Sequence, residues 1–192
     1  MKSTDTLPIA VLGAGPVGMA AAARIIEAGL TPLILERGSS VGASLLEWGH
    51  VRVFSPWKYN VDDASRRLLD AEGWTAPSPD ALPTGREIVE EYLVPLSRVP
   101  AIARTLKIGA TVTAIARQGL DKVSSPTRLN TPFVIRYRGK SGEQEAAVRA
   151  VIDASGTWTQ PNPMGVNGLP ELGEGNCDRI SYGIQDVAGE RR

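Results

Sequence analysis

Gly13-Ala14-Gly15-Pro16-Val17-Gly18 decides how this chain is read. It follows a short apolar run, Ile9-Ala10-Val11-Leu12, and opens an alanine-rich segment from Pro16 to Ala28. That segment has helix-forming residues, and Gly29 stands where a C′ glycine belongs. A second apolar run, Leu33-Ile34-Leu35, closes on Glu36. The order is strand, tight glycine turn, helix, strand and acid, which is the pattern of an adenine-dinucleotide-binding βαβ unit.

Each residue type in the turn has a physical task. Gly13 permits the sharp exit from the strand, Gly15 lets a pyrophosphate approach the backbone, and Gly18 lets the helix pack closely on the sheet. Pro16 fits the first helical turn because its missing N–H has no helical partner there, and the helix N-terminus favours a phosphate. The whole turn, Gly13, Ala14, Gly15, Pro16, Val17 and Gly18, is therefore expected at the cofactor. Glu36 is expected to accept hydrogen bonds from the adenosine ribose and to repel a 2′-phosphate, so this site should reject NADP. Arg37 either flanks the adenine or is simply an exposed arginine.

Working outward, Asn60-Val61-Asp62-Asp63 offers N-caps for a helix through Leu69 that closes at Gly73. Thr84-Gly85-Arg86-Glu87 matches a capping box. The helix after it carries Ile88, Val89, Tyr92, Leu93 and Leu96 on one stripe, and Pro95 should kink or shorten it. Residues 107–117 read as one strand, 132–138 as another and 145–153 as a third, with Gly139-Lys140-Ser141-Gly142 as a turn. Residues 118–130 read as a polar insertion or a long hairpin tip. The fold class expected is α/β, a Rossmann-like open parallel sheet with an antiparallel β flap. One domain is expected over 1–168, with an irregular excursion at 38–83 and a β insertion at 118–145, followed by a linker or tail at 169–192.

At 192 residues the chain is long enough to bury a sizeable core. Its formal charge is +0 and its cations are scattered, so neither nucleic acid nor a membrane surface is indicated. The single cysteine, Cys177, excludes an internal disulfide or a CxxC pair, and no metal site is read. No apolar leader or membrane-length stretch is found, so a cytoplasmic location is expected.

The block Trp48-Gly49-His50-Val51-Arg52-Val53-Phe54-Ser55-Pro56-Trp57 is more specific. With the glycine turn before it and Asp153-Ala154-Ser155-Gly156-Thr157-Trp158 after it, it resembles the FAD-dependent oxidoreductases of the two-dinucleotide-binding-domain (glutathione-reductase-like) superfamily, and among them the flavin-containing monooxygenase-like members. The resemblance runs from Ile9 to about Gly168. It implies FAD as cofactor, with Gly13, Gly15 and Gly18 on the pyrophosphate and Glu36 on the ribose. Gly42-Ala43-Ser44 and Trp48 correspond to the segment passing the pyrophosphate and ribityl chain. Val112 matches a strand residue whose backbone meets the adenine, and Ala154-Ser155-Gly156 closes the last parallel strand beside the cofactor. Arg52 and Trp57 lie toward the flavin or serve packing, and His50 is read as structural.

Relatives of this type carry a second glycine turn for NADPH and a return segment, and neither is found here. The expectation is an N-terminal portion of a larger flavoenzyme, in which nicotinamide reduces flavin and reduced flavin meets oxygen. NAD(P)H is then expected only for a full-length form, and a partner subunit or a missing C-terminal domain would complete the enzyme. Two other readings stay open. One is a non-catalytic nucleotide-binding protein or subunit. The other is an NAD-dependent dehydrogenase module, which would need a catalytic His, Lys or Tyr-Lys set that the sequence does not offer.

Overall fold

The computed structural model describes residues 6–121, 123, 127–187 and 189. Four strands form a parallel sheet: β1 (Ile9–Leu12), β2 (Pro32–Glu36), β3 (Leu106–Ile108) and β7 (Ala150–Asp153), in the order β3-β2-β1-β7. Val11 pairs with Ile34 on one side and Ile152 on the other. A separate antiparallel sheet has the order β4 (Thr111–Arg117), β5 (Phe133–Gly139), β6 (Gly142–Val148). The expected α/β architecture with an antiparallel flap is the one observed.

The apolar run of β1 is continuous because both of its faces are covered. Val11 enters a core with Met19, Ala22 and Ile25 of α1 (Pro16–Glu27). Ala10 and Leu12 point the other way, into a second core with Ile135, Tyr137 and Val148 of the antiparallel sheet. Period-two alternation thus sends neighbouring side chains into two different cores. The parallel sheet lies between the helices and the antiparallel sheet.

The helices end where their sequences say they should. α1 runs from Pro16 at its first turn, and Gly29 follows its C-cap with φ +73°. Two short helices, α2 (Ala43–Glu47) and α3 (Trp57–Asn60), punctuate the excursion after β2. α4 (Asp63–Ala71) is capped by Asp62, which accepts from the N–H groups of Ala64 and Ser65 at 2.8 and 3.0 Å. Thr84 and Glu87 form the full capping box of α5 (Gly85–Glu87).

Beyond α5 the chain departs from a plain helix. Residues Ile88–Leu93 are a π-helical segment, and α6 (Val94–Arg98) and α7 (Pro100–Ala103) follow. The cause is Pro95, which has no N–H for the carbonyl of Glu91 and whose ring crowds that carbonyl. Trp74 takes up the freed acceptor, its Nε1–H donating to Glu91 O at 2.9 Å.

Two expected strands are each divided between the sheets. Residues 107–117 break at Gly109, whose φ of +72° turns the chain from β3 into β4. Residues 145–153 break at Arg149, whose N–H donates to Pro8 O at 2.9 Å. Val148 pairs with Phe133, whereas Ala150 pairs with Ile9, so the chain changes sheet within a single residue. The polar stretch 118–130 connects β4 to β5, and its residues 122 and 124–126 lie outside the described ones. In the turn-rich tail, Glu174 is buried and accepts from the N–H groups of Met164 and Glu171 and from the Tyr182 hydroxyl. Residues 188 and 190–192 of that tail also fall outside the described residues. Among the described residues no helix is long and apolar enough to cross a membrane.

Asp62 also receives two hydrogen bonds from Arg24, at 3.1 and 2.8 Å, and so joins α4 to α1. Desolvation pushes its carboxyl up, but the Ser65 amide, the Arg24 guanidinium and the Ala64 amide outweigh it and hold the carboxyl below the usual range. A carboxyl lowered by folding stabilises fully above its unfolded-state pKa, and the benefit is lost as pH falls through the folded-state value. Asp62→Ala is therefore expected to cost about 1 kcal/mol at neutral pH and to flatten the acid limb of the stability curve. Urea unfolding at neutral and acid pH checks this, and an unchanged midpoint at neutral pH contradicts it.

Candidate functional site

The C-terminal ends of β1, β2 and β7 open into one cleft of about 480 Å³. The chain runs from β1 to β2 and β3 on one side and returns with β7 on the other. Such a switch point is where open parallel sheets bind ligands.

The glycine turn forms the floor. Gly13 has φ +93°, and a Cβ there would stand 2.7 Å from Ala154 O. A Cβ on Gly18 would overlap the Gly13 carbonyl oxygen, so α1 lies directly on the turn. Gly15 is different. Its φ of −78° suits any residue, and no atom lies within 4 Å of where its Cβ would be. The space over Gly15 belongs to the cleft, and no side chain caps the N-terminus of α1 below it. That combination is a cradle for an anion approaching backbone N–H groups.

Glu36 has a role the sequence did not announce. Its Oε2 accepts from the Ala14 N–H and its Oε1 from the Gly38 N–H, both at 2.6 Å. One carboxylate thus clamps the glycine turn to the loop after β2. Glu36 still lines the cleft, and each oxygen keeps a lone pair for a further donor.

Arg37, Ser44, Trp48, Val112, Ser155 and Gly156 line the same cleft with Gly13, Gly15, Pro16 and Val17. Ala14 and Gly18 stand behind it. Ala14 is fully buried, with its carbonyl accepting from Gly42 N–H at 3.0 Å. Gly18 spaces the helix and does not border the cleft. Gly42 has φ +64°, and a Cβ on it would meet the Val89 side chain at 2.7 Å. That fit brings Ser44 and Trp48 to the rim. Val112 comes in because Ala110 N–H donates to Glu36 O at 2.7 Å, which carries the start of β4 beside the end of β2.

Trp57 is 5% exposed in the helix-side core, so its role is packing. Arg52 hydrogen-bonds the Leu82 carbonyl and bridges Thr84 through its backbone. His50 is exposed at a smaller cavity with Glu47, Trp158 and Tyr182, and is not enclosed as a structural histidine would be. Thr157 and Trp158, which the quoted block contains without a role of their own, border the main cleft too, as do Thr159 and Gln160, which no motif singles out. The only signal for them was their position directly after the Ser155-Gly156 turn. Asp153 ends β7 and accepts from the Ser155 hydroxyl at 2.6 Å and amide at 3.0 Å. Those two bonds, the hydroxyl first, hold its carboxyl below the ordinary range.

No protein-family model and no curated protein sequence matches the chain. Solved structures do. Bacillithiol disulfide reductase from Bacillus cereus matches with a TM-score of 0.61 at 16% identity, over 84% of this chain and 42% of that one. A steroid monooxygenase bound to NADP matches at 0.56 and 23% identity, over 78% of this chain and 26% of that one. OTEMO in complex with FAD and NADP matches at 0.57 and 18% identity, over 85% and 29%. The chain spans less than half the length of each. At these identities the likeness establishes the fold, one that this chain shares with part of a disulfide reductase and part of a monooxygenase.

The clamp makes a prediction that needs no ligand. Glu36→Ala removes a charged acceptor from two backbone N–H groups, and is expected to destabilise the chain by about 2 kcal/mol. Thermal unfolding without added nucleotide checks it. A melting temperature equal to wild type would make Glu36 a ligand contact only.

Proposed function

We propose that this chain is the FAD-binding portion of a flavoprotein oxidoreductase, monooxygenase-like and supplied with electrons by NAD(P)H. The observation that carries the reading is the open cradle at Gly15. A glycine whose own dihedrals do not require glycine, at the uncapped start of a helix and facing a cleft, leaves room for one thing in particular, a pyrophosphate. The likeness to structures described with FAD and NADP supports FAD as the dinucleotide.

The residues present fit that group. Gly13 and Gly15 would border the pyrophosphate, and Glu36 the adenosine ribose. Val112 would lie at the adenine, and Ser44, Trp48, Ser155 and Gly156 along the rest of the molecule. When bound, flavin supplies the redox chemistry, accepting hydride from a nicotinamide and passing electrons on. This chain's residues would bind and orient it. The nicotinamide site, the substrate pocket and any partner belong, in this proposal, to a longer form or a second subunit. The alternatives, a non-catalytic nucleotide-binding subunit and an NAD-dependent dehydrogenase module, have no observation that favours them.

The purified chain is expected to be yellow, with a flavin band near about 450 nm, or to gain thermal stability with saturating FAD and not with NAD. A colourless protein unaffected by FAD contradicts the reading. Gly15→Val should fold, because φ −78° suits valine, and should lose FAD binding by filling the cradle. Unchanged FAD affinity in the folded variant removes the proposed site. Glu36→Arg is expected to weaken FAD binding as well.

A further inference from the structure

Residues Thr157 to Gln160 follow β7, line the cleft and are tied to its opposite side. Arg37 Nη2 donates to Thr159 Oγ1 at 3.2 Å, and Trp158 Nε1 donates to Glu47 Oε2 at 2.6 Å. The Trp158 ring lies 6.3 Å from that of Trp48, tilted by 53°. Arg37 and Glu47 belong to the chain after β2, and β1 stands between β2 and β7 in the sheet. Two strand spacings are about 10 Å, so the chain after β7 passes the end of β1 to reach Arg37 beside the end of β2.

Each tie has one charged partner, the Glu47 carboxylate for Trp158 and the Arg37 guanidinium for Thr159, so both are charge-assisted. The indole bond is the shorter, at 2.6 Å against 3.2 Å. A Cβ on Gly183 would stand 3.2 Å from Trp158 Cζ2, so the tail comes close to that ring. Gly156, just before these residues, has φ +65° and no atom within 4 Å of where its Cβ would be. Its left-handed φ is one that glycine adopts without strain.

We propose that residues 157–160 are a strap over the cleft, that the Glu47–Trp158 hydrogen bond is its latch, and that opening the latch limits exchange of the bound dinucleotide. The inference rests on the dinucleotide reading above. Glu47 is thus a positioning residue acting through Trp158. A latch that contributes equally before and after the ligand is seated slows both directions. Its removal speeds association and dissociation together and leaves Kd alone.

The test uses the full chain with Glu47→Leu, Glu47→Gln and Trp158→Phe. Gln keeps an acceptor for the indole, and Phe keeps a ring without the N–H. Solvent exchange of the Trp158 indole proton, read by NMR without ligand, should quicken about tenfold in Glu47→Leu and fall between wild type and Leu in Glu47→Gln. Stopped-flow mixing with FAD should show both rate constants raised about tenfold in Glu47→Leu and Trp158→Phe, with Kd held within about twofold. The double variant should be no faster than either single one, because both remove the same bond.

Unchanged indole exchange in Glu47→Leu eliminates the latch. Faster indole exchange with unchanged FAD rates eliminates the gating role. A weaker Kd at constant association rate makes Trp158 a ligand contact, and overturns the proposal too. A wild-type chain that takes up no FAD defeats the dinucleotide reading, and the gating role with it, while the indole proton still reports on the latch alone.

Discussion

Backbone meets backbone at the centre of this molecule with no room for a side chain. The end of β7 lies against Gly13, where a Cβ would stand 2.7 Å from the Ala154 carbonyl oxygen, and α1 lies against the same turn through Gly18. This close approach fixes the other distances at the site. It sets the end of β7 beside the end of β1, and therefore brings Ser155 and Gly156 to the cleft. It also aims the start of α1 into the same space. A larger residue at either glycine would have to push two elements apart, and the cleft would open at its floor.

Around that contact the architecture is a division of labour between two cores. One face of β1 and β2 packs on the helices and the other on the antiparallel sheet. With both faces covered, the strand ends are the place where the parallel sheet meets solvent in a concave way, and the cleft forms there. Glu36 and Gly42 then stitch the loops after β2 to the glycine turn, through the Ala14 N–H and the Ala14 carbonyl. Ala14 contributes no side-chain chemistry, but both of its backbone groups are used to hold the loops in place.

The local signals in the sequence were the strong ones. The turn at Gly13–Gly18, the Gly29 stop, the Asp62 cap and the Thr84–Glu87 box each depend on a few neighbouring residues, and each is found where its pattern places it. Non-local facts were hidden. Nothing in residues 145–153 says that Val148 pairs in one sheet and Ala150 in another, because the division is set by Ile9 and Phe133 far away in the chain. The π segment was half visible in Pro95, but the carbonyl it frees is claimed by Trp74, which no local pattern connects to it. At the site, Glu36 was legible as an acid in the right place and illegible as a clamp. Trp158 was quoted within a motif without a role, since its partner Glu47 lies 111 residues earlier.

In the proposed function a dinucleotide's pyrophosphate sits over Gly15, between the start of α1 and the turn after β7. Amide chemical shifts of the 15N-labelled chain, followed through a titration with FAD, test it most directly. The largest changes are expected on Gly13, Gly15, Val17, Ser155 and Gly156, with Ala14 and Gly38 moving as their clamp to Glu36 adjusts. Shifts confined to the cavity at His50 and Tyr182, or no shifts at saturating FAD, would contradict it.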